Sequence, residues 1–221
     1  MKHAIQIAAL LVVAGVSHAQ APSAAYDKAS LRVAEQSAQA ALGTFSQLVT
    51  DRNVKALGFD EVGQVRTSRL GAPIAQYMVR LDELKQYAAG ADPAGLLHST
   101  GRVTYPLIAN GAPRSGITLA RKGETWTAES FGGASYVRLL DEVRAQSSRA
   151  AGRSLADYFE VRVPALNFTF IGYRDNAGLQ LLPILAYPAL GMDKGMATPA
   201  SDVFQKLVPL ARAHNDLPGG R

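Results

Sequence analysis

The chain contains no cysteine among its 221 residues. That absence excludes a disulfide framework, a thiolate nucleophile and a cysteine metal cage. Histidine is scarce too. His3 and His18 fall within the first nineteen residues, which leaves His98 and His214, more than a hundred positions apart. Neither has an acidic or histidine neighbour at i+2 to i+4 on an expected helix or strand; Asp216 follows His214 only in the tail. A zinc site needs three or four convergent ligands, so no metal and no other cofactor is expected. No apolar run reaches the ~18 residues of a membrane span. There is no G-x-S-x-G elbow, no Walker A and no glycine-rich dinucleotide loop between a strand and a helix.

Lysine is also sparse. Of 23 basic residues 16 are arginine, and they are scattered along the chain. A nucleic-acid footprint gathers basic residues on one face with aromatics, so no nucleic-acid partner is expected from the net charge of +5. Hydrophobic content of 48% with 19% charged residues belongs to a folded chain, not a disordered one.

The N-terminus carries the clearest pattern. Lys2 gives a positive start, Ala4 to Val16 is an uncharged apolar core, and Ser17-His18-Ala19 places small residues at the positions of a cleavage site. This order is that of a secretory signal peptide over residues 1–19, which predicts a periplasmic or secreted protein with no transmembrane segment once the leader is removed. A flexible linker is expected over 20–26, a single α+β domain over 27–214 and a disordered tail over 215–221. In an oxidising compartment a cysteine-free domain rests on its core and sheet alone.

Hydrophobic periodicity predicts a long amphipathic helix from Asp27 to about Thr50, with Leu31, Ala34, Ala38, Leu42 and Phe45 on one face. A shorter helix follows, with Asp60 as its N-cap. Strands are expected over 74–81, 103–110, 115–120 and 125–131, the last three joined by tight turns into an antiparallel meander. Pro106 marks 103–110 as an edge strand, because proline donates no ladder hydrogen bond. A helix over 134–148, a β run over 158–174 broken at Pro164, a return strand over 179–187 and a C-terminal helix with Thr198 as its cap and Pro199 as its first residue complete the chain. The fold class is therefore α+β, with an antiparallel sheet of about six strands packed on the long N-terminal helix and two flanking helices. The order helix, helix, strand, turn, meander over roughly 27–131 looks like that of cystatin-like and nuclear-transport-factor-like folds. The resemblance is one of element order, without signature residues, and implies no function.

Two features point to binding. An edge strand at Tyr105 and Pro106 would offer backbone groups to an extended peptide, with Arg114 and Ser115 projecting beside it from a turn. Aromatic residues on the strands, among them Tyr105, Trp126, Phe159 and Phe170, either fill the core or line a pocket. The leading expectation is a non-catalytic exported protein that binds a peptide, a protein partner or a small apolar ligand through Tyr105, Pro106, Arg114, Ser115 and Trp126. An exported hydrolase using carboxylates or Ser115, with His98 approaching it, is the alternative. A protease inhibitor presenting Arg114 is a third. The stretch Arg138, Arg144, Arg149, Arg153 is read as a solvated helix end.

Overall fold

The computed structural model describes residues 26–214. The expected leader at 1–19, all of the linker but Tyr26, and the tail at 215–221 lie outside them. Helix α1 (Lys28–Leu48) starts where Asp27 accepts a hydrogen bond from the Ser30 amide at 2.6 Å, a side-chain N-cap. Next come α2 (Val62–Arg66), β1 (Arg69–Leu70), β2 (Ile74–Met78) and α3 (Leu81–Gln86). The meander is β3 (His98–Ala109), β4 (Ala112–Lys122) and β5 (Thr125–Gly132). Helix α4 (Ala134–Ala151) leads to β6 (Phe159–Val163), β7 (Phe168–Asp175), β8 (Gly178–Pro183), β9 (Thr198–Pro199) and α5 (Ala200–Ala213).

The strands form one nine-stranded sheet in the order β5-β4-β3-β2-β6-β7-β8-β9, with β1 beside β3. Nine strands replace the expected six. Every pairing is antiparallel except β2 with β6, which run parallel at the centre. A parallel pair needs a crossover, and the chain between these strands contains the whole meander and α4.

Alternation along the strands divides the sheet into two faces. Val103, Tyr105 and Leu107 of β3 pack under α1 with Phe45 and Trp126. Val161 and Phe170 on the same face pack under α3 and α5 with Phe204 and Leu207. On the other face Ile74, Ile171 and Leu182 meet Leu140 and Val143 of α4. Thus α1 covers only the meander half of one face. Arg144 of α4, 1% exposed, pairs with Asp141 at 2.7 Å and donates to the Pro73 carbonyl at 3.3 Å, fastening α4 to the start of β2. Burial holds its guanidinium pKa below the usual arginine value.

Strand β3 is not an edge. It lies between β4 and the β1/β2 pair, and the sheet ends at β5 and β9. Pro106 is accommodated because its partner on the β1/β2 side is the gap between those two short strands. Its carbonyl accepts from Gly71 there at 2.7 Å, and the N–H it lacks would point to the same side. At the C-terminus Pro199 is the N-cap of α5 and not its first residue, and α2 is capped at Glu61 in place of Asp60.

Two β-bulges interrupt the meander, each at a charged residue. In the β3–β4 pair Ile108 faces Pro113 and Leu107 faces Ser115, so Arg114 is the extra residue. In the β4–β5 pair Thr118 faces Ser130 and Leu119 faces Ala128, so Glu129 is extra. A bulge re-aims its side chain, and both of these charged groups find ion-pair partners.

Candidate functional site

On the α4 side the sheet is only partly covered. Beside α4 lies a cleft of about 460 Å³ over strands β4, β3, β2 and β6, lined on its floor by Gln76, Arg102, Thr104, Thr118 and Arg162 and walled by Tyr136. These residues share a face through register. Arg102 lies opposite Gln76, Gln76 opposite Glu160, and Thr104 opposite Thr118. The two threonine hydroxyls are 3.0 Å apart.

Glu160, 1% exposed, is the anchor of this polar row. Gln76 Nε2 donates to its Oε2 at 2.9 Å, Tyr136 donates its hydroxyl to Oε1, and Arg162 Nε lies 3.6 Å from Oε1. Thr100 donates to Gln76 Oε1 at 3.2 Å, which fixes which way that amide points. Burial, then the Glu160 charge and hydrogen bond, push the Tyr136 phenol above its ordinary pKa. It therefore remains a donor through the neutral range. Arg162 is 46% exposed, and its only ion pair among the described residues is the long one to Glu160.

At the rim Glu129 leaves its bulge to grip Arg102 in two bonds of 2.6 and 2.8 Å. The hydrogen bond from Arg102 holds the Glu129 carboxyl below the usual carboxylate range, and Glu129 in turn raises Arg102. Such a partly exposed pair adds at most about 1 kcal/mol; its effect is to fix two side chains at the mouth of the cleft.

The residues singled out from the sequence are distributed differently. Tyr105 and Trp126 are buried under α1, where they donate to the Leu31 carbonyl and the Ser30 hydroxyl. Pro106 is buried in the central sheet. Ser115 is fully buried and its hydroxyl has no hydrogen-bond partner. His98 pairs instead with Glu83 at 2.5 Å. Ser115 faces Leu107, nine residues along β3 from His98, a separation on the order of 25–30 Å. The two form no Ser–His couple, and a fully buried serine meets no substrate. Arg114 lies inside β4, a few residues beyond the Asn110-Gly111 turn, paired with Asp60 at 3.3 Å; it does not project from an inhibitor-like loop. Asp92 caps a short helical turn at Ala94.

The aromatic set fills the core. One apolar cavity, beside Tyr26, Tyr77, Tyr158 and Phe159, measures only about 130 Å³, below the roughly 300 Å³ at which ligand pockets begin. Among the described residues no group of three or more histidine or acidic side chains is placed to hold a metal ion. No helix among them is long and apolar enough to cross a membrane. Sequence reasoning passed over Gln76, Tyr136, Glu160 and Arg162. Their one signal was the alternation of Glu160 and Arg162 with Phe159, Val161 and Val163. No family model, curated protein or solved structure matches the chain.

Proposed function

We propose that the chain is an exported, non-catalytic binding protein, and that a small polar ligand sits in the cleft beside α4. The observation that carries this reading is the burial of Glu160 beneath an open polar cleft. Replacing a buried charged network whole by apolar residues is often neutral or stabilising, so stability alone does not account for Glu160 and its partners. What Glu160 does here is orient Gln76, Tyr136 and Arg162, as a supporting shell orients recognition groups. Arg162 and the Thr104 and Thr118 hydroxyls suit a ligand with hydroxyl, amide or carboxylate groups.

Two further observations favour binding over hydrolysis. Glu129 is kept ionised by Arg102, which unfits it as a general acid. Glu160 is covered by Gln76 and Tyr136 and meets no scissile bond. The proposal of export to the periplasm or beyond rests on the pattern of Lys2 to Ala19, the order of a leader.

A second reading keeps a peptide as the ligand. Strand β5 ends the sheet, carries no proline or lysine, and leaves one row of backbone groups open to an added strand.

Thermal-shift screening of the full chain against sugars, amino acids and dicarboxylates tests the first reading. A solute that raises Tm in the wild type and fails to do so in Arg162→Ala supports it. A hit that Arg162→Ala and Gln76→Ala both leave unchanged overturns it. N-terminal sequencing of material from a Gram-negative host tests export: a start at residue 20 is expected, and an intact Met1 contradicts it.

A further inference from the structure

We propose a second binding site, for a phosphate group, in the surface cavity where Lys55, Arg114 and Arg138 meet. This cavity of about 500 Å³ is lined by those three cations with Gly58, Phe59 and Asp60. It shares no lining residue with the cleft beside α4, so it stands independently of the ligand proposed there.

Three separate parts of the chain bring the cations together: the turns after α1, the bulge in β4, and the second turn of α4. Against them stands a single carboxylate. Asp60 reaches Arg114 Nη1 at 3.3 Å but is shared, accepting from Gln64 at 3.1 Å as well. Lys55 and Arg138 form no ion pair among the described residues. Arg114 Nε is buried and has no hydrogen-bond partner. An unpaired buried donor on a charged group is costly, and gathered like charges repel. A phosphate in the cavity would offset that repulsion by meeting the exposed part of the Arg114 side chain; the buried Nε stays out of its reach.

The backbone beneath the cavity is closely packed, while the Lys55 and Arg138 side chains are exposed. Gly58, at φ +94°, lies so close beneath Arg114 that a Cβ there would be 2.0 Å from its carbonyl oxygen and 2.5 Å from the Cβ of Ala134. Ala134 opens α4, so this packing fixes the Arg114 backbone against the start of the helix that carries Arg138.

The arginines of the 138–153 stretch do not act together. Arg144 is buried on Asp141, and Arg153 donates to the Arg174 carbonyl and lies over the Tyr173 ring. Only Arg138 joins this cavity.

The test is calorimetric titration of the full chain with inorganic phosphate at low ionic strength, against sodium chloride of matched ionic strength. Saturable binding is expected, weakened about tenfold in Arg114→Gln and at least as much in Lys55→Gln/Arg138→Gln, whose exposed positions leave folding intact. Arg149→Gln, at the other end of α4, should bind as the wild type does. Vesicles containing phosphatidylglycerol form a second arm. Vesicle binding lost in Lys55→Gln/Arg138→Gln without binding of free phosphate identifies a lipid headgroup as the source of the phosphate. No saturable binding in either arm overturns the proposal. So does an equal loss in Arg149→Gln, which would show diffuse charge, or binding unchanged in the double variant.

Discussion

Tyr136 of α4 donates its phenolic hydrogen to the buried carboxylate of Glu160 on β6. This bond ties the crossing helix to the parallel strand at the centre of the sheet, and it forms the inner wall of the cleft. A hydrogen bond to a charged group contributes about 1.5–3 kcal/mol. Tyr136→Phe is therefore expected to lower the unfolding free energy by that amount in urea titration. A loss under about 0.5 kcal/mol would show that Gln76 and Arg162 satisfy Glu160 without it.

Arg144 and Asp141 provide a second expectation. Removing one partner of a buried pair leaves an uncompensated charge and costs about 3–5 kcal/mol, whereas replacing both by apolar residues is often neutral. Asp141→Ala should destabilise by that amount, and Arg144→Met/Asp141→Leu far less. The comparison is read from denaturant midpoints at constant m-value. Equal losses in the two variants would contradict the uncompensated buried charge as the source of the Asp141→Ala cost.

Alkaline pH supplies a third. Of eight tyrosines, Tyr77 is pushed up to about 12 and Tyr105 and Tyr136 are raised further, each first by burial. A phenol whose folded pKa lies above the unfolded value of ~10 favours the folded state while it is protonated. That contribution is complete below pH ~10 and is lost as pH rises through the folded value. Stability should fall from about pH 10 upward. Tyrosinate absorbance should then show a late group of phenols that ionises together with unfolding. Smooth titration of all eight before any loss of structure would contradict it.

The elements themselves were largely legible, because helix and strand periods depend on neighbouring residues. The long helix, the meander and the break at Pro164 emerge where the alternation places them. What stayed hidden depends on distant partners. Pro106 signals an edge only if both sides of its strand are otherwise filled, and the gap between β1 and β2 is a matter of two short strands much earlier in the chain. Ser115 and Arg114 looked alike as turn residues; one extra residue in the bulge sends one into the core and the other toward Asp60. Glu160 stands on the polar side of its strand and would be taken as solvated. It is buried because β2, 84 residues away at Gln76, pairs with β6 while α4 crosses above. No local pattern carries that information.

Amide nitrogen–proton NMR spectra, recorded during titration with the best solute from the thermal screen, test the cleft as the ligand seat most directly. A ligand in the cleft predicts saturable shifts concentrated at Gln76, Arg102, Thr104, Thr118, Tyr136 and Arg162, with β9 and α5 silent. Shifts that bypass these residues and gather instead along the outer amides of β5, or on the exposed side chains around Leu185 and Met196, would contradict it.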